Sequence, residues 1–312
     1  MSDVDGPPPM RFLADRDDRL RMVFRGPQAK AVLGGLLSND VTRLTPGEMQ
    51  RAAALTAKGR VLALCRVVDR GDDLLLDTEA ASAEGFVAMV RKYVNPRLAA
   101  YTVVTGDTAC LGVHGPGADA AVAGAREIGL TAIPSAELAT PGWDVIGPRE
   151  AVAGLRTALE AAGWPVADAA TLEAERIEAG VPRWGVDMTD ETIAQEAGLD
   201  ALDAISFAKG CYTGQEVVAR IHFRGHVNRL LRRLRSAEAL PVGATVHDAA
   251  GAEVGTVRSS AVHARHGPVA LAMVRREVAI GDTVAVMRPD GSPTAATVEA
   301  LTPAPSPTRA TE

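Results

Sequence analysis

Cysteine is scarce in this chain of 312 residues, which has three: Cys65, Cys110 and Cys211. They lie far apart and form no CxxC pair, so the sequence indicates neither a disulfide framework nor a cysteine-rich metal site. Because an iron–sulfur cluster is usually held by several thiolates, this chain alone does not supply the ligands of a stable cluster. At most one cysteine is available as a transient ligand.

Long apolar runs are also missing. No stretch approaches the roughly eighteen apolar residues of a membrane-spanning helix. The acidic, proline-rich segment 1–10 has no apolar core of a signal peptide. We therefore expect a soluble, cytoplasmic protein that does not bind membranes. The sequence has no GxGxxG after a strand, no P-loop and no GxSxG, so nucleotide cofactors and serine hydrolysis are not supported.

The composition indicates a globular protein. Apolar residues make up 47% of the chain, and its length allows two domains, or three small ones, with a substantial buried core. The net charge of −6 argues against a general nucleic-acid binder. We expect a monomer.

A strand, a Gly-Pro pair and a helix follow one another three times. Proline suits the first turn of a helix because its missing N–H would be unpaired there. A fourth strand–helix unit, 74–93, lacks the Gly-Pro pair. This order predicts an α+β body with helices packed on antiparallel sheets. The three units are strand 20–24 with helix 28–37, strand 109–113 with helix 117–125, and strand 143–146 with helix 149–162.

After Leu240 the pattern changes to short strands separated by glycine turns, and helical periodicity disappears. This change favours a small β-barrel. Its strands are predicted at 245–247, 253–257, 269–274 and 283–287. We place the α+β body at 10–235, the barrel at 236–301, and a disordered tail rich in Pro, Ala and Thr at 302–312.

The segment 207–220, FAKGCYTGQEVVAR, places Cys211 in an unusual setting. Thr213 and Glu216 have the spacing of a capping box, which predicts a helix beginning at Thr213. A helix N-terminus and the charge of Lys209 would both favour a thiolate at Cys211. The alternative is a buried, inert cysteine in a glycine-rich helix entry, and this segment leaves both interpretations open.

The octapeptide KGCYTGQE at 209–216 resembles the signature of the YgfZ family of folate-binding proteins, relatives of the glycine-cleavage T-protein, an aminomethyltransferase. Three other segments resemble those of the same family, and the resemblance extends over nearly the whole chain. They are ERIEAGVPRWGVD at 175–187, SNDV at 38–41 and KGR at 58–60.

The resemblance implies two interleaved ferredoxin-like lobes, a C-terminal barrel, and a central opening for tetrahydrofolate or a derivative. Glu178 matches the family position whose carboxylate accepts from the pterin ring, although it could equally be an exposed helix carboxylate. Trp184 would line the ring, with core packing as the alternative. The expected cofactor-binding residues are Glu178, Trp184, Tyr212, Gln215 and Arg220, and the expected reactive pair is Cys211 with Lys209.

A run without acidic residues extends from Val217 to Ala237. It is either a solvated strand face or a basic wall for the glutamate tail of a folate, and RNA phosphate is the less favoured ligand. We expect no direct nucleic-acid binding, because the chain is acidic and the run lacks interleaved aromatic residues. His222 and His226 have a zinc-like spacing, but Gly225 argues against one continuous helix, so we assign no metal.

One departure from the aminomethyltransferase pattern concerns Leu62 and Ala63. They stand where that enzyme carries the carboxylate of its GGxxDD segment, so the acid–base partner of aminomethyl transfer is absent. We therefore expect a folate-dependent accessory factor for iron–sulfur cluster assembly or repair, whose partners are cluster enzymes, including tRNA-modifying ones, or assembly proteins. The alternative is a folate-dependent aminomethyl- or methyltransferase. Asn39 and Asp40 are expected to hold the turn after the first helix.

Overall fold

The computed structural model describes residues 10–135 and 137–301, so the tail expected at 302–312 lies outside the described residues. Within these ranges the chain forms six α-helices and fifteen β-strands. The helices are α1 (Ala29–Leu36), α2 (Ala83–Tyr93), α3 (Ala118–Glu127), α4 (Arg149–Ala161), α5 (Ala169–Glu178) and α6 (Gln215–Arg224). The strands are β1 (Phe12–Asp15), β2 (Arg19–Arg25), β3 (Met49–Leu55), β4 (Val61–Asp69), β5 (Leu74–Glu79), β6 (Ala100–Val103), β7 (Thr108–His114), β8 (Thr131–Ser135), β9 (Gly142–Pro148), β10 (Arg229–Ser236), β11 (Thr245–His247), β12 (Glu253–His263), β13 (Gly267–Arg275), β14 (Thr283–Met287) and β15 (Pro293–Glu299).

The first lobe is a five-stranded antiparallel sheet in the order β3-β4-β5-β2-β6. Successive side chains of a strand point to opposite faces. Met22 and Phe24 of β2 therefore pack in one apolar cluster with α1 and α2, whereas Val23 packs on the other face with residues of the second lobe. Both faces of this sheet are thus covered by protein.

The second lobe is a four-stranded antiparallel sheet in the order β1-β7-β9-β8. Helices α3 and α4 cover one face through Val122, Val152 and Leu159. On the opposite face Ile146 of β9 shares an apolar cluster with Leu75 of β5. The two lobes therefore meet sheet against sheet.

A network of buried charged side chains also joins the two sheets. Arg66 on β4 donates to both carboxylate oxygens of Asp77 on β5, at 2.8 and 2.5 Å, and to Asp144 on β9 of the other lobe. Arg19 on β2 donates to Asp77 at 2.9 Å and to Glu137 at 3.1 Å. Burial alone would raise the pKa of these carboxyls, but the arginines outweigh it. They hold the pKa of Asp77 well below its usual range and lower the pKa of Glu137 to about 2.

The C-terminal domain is a closed six-stranded barrel in the order β10-β13-β12-β11-β14-β15. It begins at Arg229, before the boundary predicted at residue 236, because β10 is its first strand. This strand is rich in arginine, so in the sequence it looks like part of the basic run that precedes the predicted boundary. Helix α5 of the body packs on the barrel, where Ile177 shares an apolar cluster with Leu231 and Leu271.

The α+β class and the C-terminal barrel expected from the sequence are confirmed. Each predicted Gly-Pro unit is a strand followed by a helix, and β11 and β14 have the predicted bounds. At Gly115 a Cβ would lie 2.3 Å from the Met10 carbonyl oxygen, so that strand–helix junction requires glycine. Among the described residues, none of the helices combines the length and apolar character needed to cross a membrane.

Arg66→Met should lower the free energy of unfolding by about 3–5 kcal/mol, because it leaves the carboxylates of Asp77 and Asp144 buried without their guanidinium partner. Urea unfolding followed by circular dichroism measures this loss. Arg25→Met is the matched control: the Arg25 side chain is 58% exposed in its salt bridge to Asp73. Such exposed pairs contribute about 0–1 kcal/mol. Equal losses in the two variants would contradict a structural role for the network.

Candidate functional site

The loop before α6 is fastened to the C-terminal end of α1 by Lys209. Its Nζ donates to the carbonyl oxygens of Gly34, Leu37 and Asn39 at 2.5, 2.6 and 3.0 Å. Carbonyls at a helix C-terminus lack intrahelical partners, so the ammonium satisfies them and complements the negative end of the helix dipole. The sequence predicts that the charge of Lys209 favours a thiolate at Cys211. The structure instead engages this charge with three carbonyls, where it sets the path of the loop.

Tyr212 anchors the residue next to Cys211. Its side chain is buried in the same apolar cluster that Trp184 packs against, and Lys209 Nζ lies 4.8 Å from the centre of its ring. Burial raises the pKa of Tyr212 to about 12. Burial also lowers the pKa of Lys209 to about 8, although the charge of Asp40 opposes this shift.

Helix α6 begins at Gln215, so the helix start predicted at Thr213 is wrong. The N-cap is Gly214, with φ of +85°, and among the described residues no side chain caps the first turn. A Cβ at Gly214 would lie 2.5 Å from the carbonyl oxygen of Thr56, in the turn between β3 and β4. This close approach, which only glycine permits, overrides the capping-box spacing. Thr213 donates its backbone N–H to Gly35 at 3.2 Å instead.

The three cysteines differ sharply in their surroundings. Cys65 and Cys110 are buried in β4 and β7, and burial raises the pKa of each thiol to about 12. Cys211 is exposed in the loop between Lys209 and α6. The buried-cysteine alternative for Cys211 is therefore wrong, and this thiol is the accessible one.

Glu178 lies at the end of α5 and faces the barrel. Its two carboxylate oxygens accept from Nη2 and Nη1 of Arg235 at 2.8 and 2.9 Å, and His266 Nδ1 lies 3.0 Å from Oε1. Glu178, His263 and His266 offer three ligand atoms within 4.8 Å of one another. However, Arg235 brings a positive charge to the carboxylate, and His263 Nε2 pairs with Glu175 at 3.1 Å. We assign these residues to polar contacts that join α5 to the barrel.

Trp184 lies beside a polar cavity in the body. Its backbone N–H donates to Glu79 at 2.8 Å, and its indole N–H is buried without a partner among the described residues. Glu79 lines a cavity of about 430 Å³ together with Arg19, Arg176 and Val181. Burial raises the pKa of Glu79. The volume falls in the usual range of small-molecule sites.

The expected folate residues are thus divided between two places. Trp184 and Tyr212 share the apolar cluster beneath the Cys211 loop, whereas Glu178 is paired with Arg235 of the barrel. The sequence could not reveal this division, because Arg235 lies far from Glu178 along the chain and the pairing forms only when the barrel packs on α5.

The arginine-rich run divides between α6 and β10. On α6, Gln215 is the first residue and Arg220 is exposed. On β10, three of the four arginines are paired with carboxylates within the fold. These pairs are Arg229 with Glu196, Arg233 with Glu299, and Arg235 with both Glu178 and Glu299.

The expectation that the run lacks aromatic residues is wrong. Phe223 lies in it and is 66% exposed, and His222 stacks on Phe207 with 3.6 Å between ring centroids. The presence of Phe223 in this run is evident from the sequence. The stacking of His222 on Phe207 could not be predicted from the sequence, because the two residues lie far apart along the chain. Helix α6 ends at Arg224, so His226 does not share a helix with His222.

Several residues of the family-like segments hold the fold. Asp40 caps the short helical turn at 41–43, accepting from Thr42 N at 3.2 Å, as expected. Arg176 donates to Asp187 at 2.8 Å. Ala63 is buried in the core of the first lobe.

Two family models match the chain. The GCVT N-terminal domain matches residues 13–208, and the CAF17 C-terminal beta-barrel domain matches residues 229–307. Among solved structures, the chain is similar to the glycine cleavage system aminomethyltransferase T from Bartonella henselae, with a TM-score of 0.82 and 20% identity. The similarity covers 94% of this chain and 86% of that one, and it bears on the fold alone.

Curated relatives named tRNA-modifying protein YgfZ match much of the chain. The protein from Escherichia coli O157:H7 is 31% identical over 244 residues, covering 72% of each chain. The protein from Klebsiella pneumoniae is 32% identical over 235 residues, covering 69% of this chain and 68% of the relative. The protein from Vibrio vulnificus is 29% identical over 231 residues, covering 70% and 69%.

Gly214→Ala should lower the free energy of unfolding by at least about 1–3 kcal/mol, because a non-glycine residue is strained in this backbone conformation at the start of α6. Contact with the Thr56 oxygen adds to this cost. Gly210→Ala is the matched control, because a Cβ there meets no atom of the described residues within 4 Å. Thr213→Ala should change little, since it removes no cap. Urea unfolding of the three variants decides, and a larger loss from Thr213→Ala than from Gly214→Ala would restore the capping-box interpretation.

Proposed function

Because this chain belongs to the YgfZ family, whose 31% and 32% identical relatives are named tRNA-modifying proteins, we propose that it is a tetrahydrofolate-binding accessory factor for iron–sulfur enzymes. In this proposal it supports the assembly or repair of clusters in client enzymes, including those that modify tRNA, and Cys211 is its reactive thiol.

The observation that carries this proposal is the exposure of Cys211 next to two anchored neighbours. Lys209 and Tyr212 are held by the end of α1 and by the apolar cluster, so the backbone on both sides of the thiol is fixed. A single exposed thiolate can attack an electrophile or bind a soft metal transiently. It does not hold a cluster on its own, which favours an accessory role over that of a cluster carrier.

Folate binding is supported by the fold and by the hydrogen-bonding geometry at Glu178. Arg235 presents two parallel N–H donors to this carboxylate, and the edge of a pterin ring offers a similar pair. Arg235 also bonds Glu299, so it keeps a carboxylate partner if a ligand takes its place on Glu178. Trp184, whose indole N–H has no partner within residues 10–135 and 137–301, remains the proposed ring neighbour. Gln215 and Arg220 are the proposed contacts near α6.

Reduced folate should bind with saturable heat in titration calorimetry. Glu178→Gln should weaken this binding by about 1–3 kcal/mol, because a pterin N–H then loses its ionised acceptor. Glu299→Gln is the matched control, since it removes a carboxylate on Arg235 but keeps Glu178. If Glu79→Gln weakens binding and Glu178→Gln does not, the folate lies in the cavity beside Trp184. No saturable heat with any reduced folate would overturn the cofactor assignment.

Cys211 should react faster with iodoacetamide at neutral pH than Cys65 or Cys110, because burial excludes the reagent from those two and disfavours their thiolates. Mass spectrometry after brief exposure measures the three rates. In cells lacking the gene, the wild-type chain should restore the activities of several iron–sulfur enzymes, whereas Cys211→Ser should not.

Thr213→Ala is the control for this experiment, since it changes the same loop and keeps the thiol. Normal iron–sulfur enzyme activities in the deletion strain would remove the proposed role. Full rescue by Cys211→Ser would instead show that the thiol is not needed for this role, and it would not affect the proposal of a folate site.

A further inference from the structure

The outer surface of α6 combines aromatic rings with arginines. Arg220, Phe223 and Arg224 are spaced i, i+3 and i+4, so they lie on one face of the helix. Phe223 is 66% exposed. His222 stacks on Phe207 at 3.6 Å with 13° between the ring planes, and it meets Phe223 edge-on at 4.7 Å. We call these five residues the α6 surface.

The two arginines of the α6 surface differ from those of β10. Within residues 10–135 and 137–301, neither Arg220 nor Arg224 forms a salt bridge, whereas Arg229, Arg233 and Arg235 each pair with a carboxylate. Glu216, one turn before Arg220, is the acidic residue of α6. The helix therefore presents two uncompensated guanidinium groups beside an exposed ring.

A strand of RNA supplies the matching chemistry. Proteins that bind single-stranded nucleic acids place aromatic rings where bases stack and cations where phosphates pass. The α6 surface offers Phe223 for a base and Arg220 and Arg224 for phosphates, and stacking between Phe207 and His222 keeps the imidazole beside Phe223.

From this arrangement we propose that the α6 surface binds single-stranded RNA. The inference goes beyond the proposed function, because it needs neither folate nor the thiol of Cys211. An acidic protein is the competing partner. Protein interfaces usually have an apolar core, and on α6 Phe223 is the one large apolar side chain that is exposed. The relatives' name, tRNA-modifying protein, favours RNA over DNA as the nucleic acid.

The test is fluorescence anisotropy with a labelled, unstructured RNA of about twelve nucleotides, within the site sizes of single-strand binders. The wild-type chain should bind it saturably. Phe223→Ala should weaken binding at least about fivefold, the effect of losing one stacked base. Arg224→Gln should weaken binding and make the dependence of log K on log salt shallower by about 0.7, the loss of one phosphate contact on a single strand.

Two exposed residues outside the α6 surface supply the controls. Ile280→Ala removes an apolar side chain that is 58% exposed, and Arg43→Gln removes an arginine whose side chain is 84% exposed. Both variants should bind RNA like the wild type. Phe223→Ala and Arg224→Gln should melt like the wild type and bind reduced folate equally well, which separates this inference from the folate assignment.

Three results would overturn the proposal. One is the absence of saturable RNA binding up to about 100 µM protein, the weak end of ordinary non-specific binding. Another is an equal loss of RNA affinity in the α6 variants and in the controls. The third is tighter binding of a polyglutamate peptide of the same length, lost in both α6 variants, which would assign the surface to an acidic protein.

Discussion

The arrangement of the body depends on the buried ion pairs around Arg66. Removing charged groups from water costs several kcal/mol per ion, so each carboxylate in this network must keep its guanidinium partner. Arg66 contacts Asp77 in one sheet and Asp144 in the other. Both contacts can form together only when the two lobes are placed as they are here. The apolar contacts between the sheets are less directional. The charged network therefore sets the alignment, and the apolar cluster around Val23 and Ile146 contributes the burial.

The presentation of Cys211 follows from this body. Helix α1 packs on the outer face of the first sheet, and its last carbonyls receive the ammonium of Lys209. On the other side of the thiol, Gly214 approaches the turn after β3 so closely that a Cβ would collide with it. The loop is thus tied to two elements of the first lobe, and the thiol stays exposed because its neighbours provide the anchoring. An exposed thiol is accessible to an electrophile or a soft metal ion, as the proposed role of Cys211 requires.

Local patterns predicted much of the architecture, and long-range pairings account for most of the errors. The strand–helix units around Gly26-Pro27 and Gly147-Pro148 could be predicted because hydrophobic periodicity is combined with a Gly-Pro pair, which marks the end of a strand and the start of a helix. The sequence places the barrel boundary after β10, because the arginines of this segment resemble a solvated run. In the fold, three of them bond Glu178, Glu196 and Glu299. The same pairings place Glu178 against the barrel, where Arg235 occupies its carboxylate.

The sequence by itself determined the α+β body with its barrel, the scarcity of thiols, and the family-like segment that contains Cys211. These follow from composition, periodicity and short motifs, which act over a few residues. Tertiary structure alone decided which charges are compensated and which remain free. Lys209 reaches carbonyls of α1, and Arg235 reaches Glu178, while Arg220 and Arg224 lie on an exposed face beside Phe223. The physical reason is that an ion pair or a stacked ring depends on distance in space, and only the packing of remote elements sets that distance.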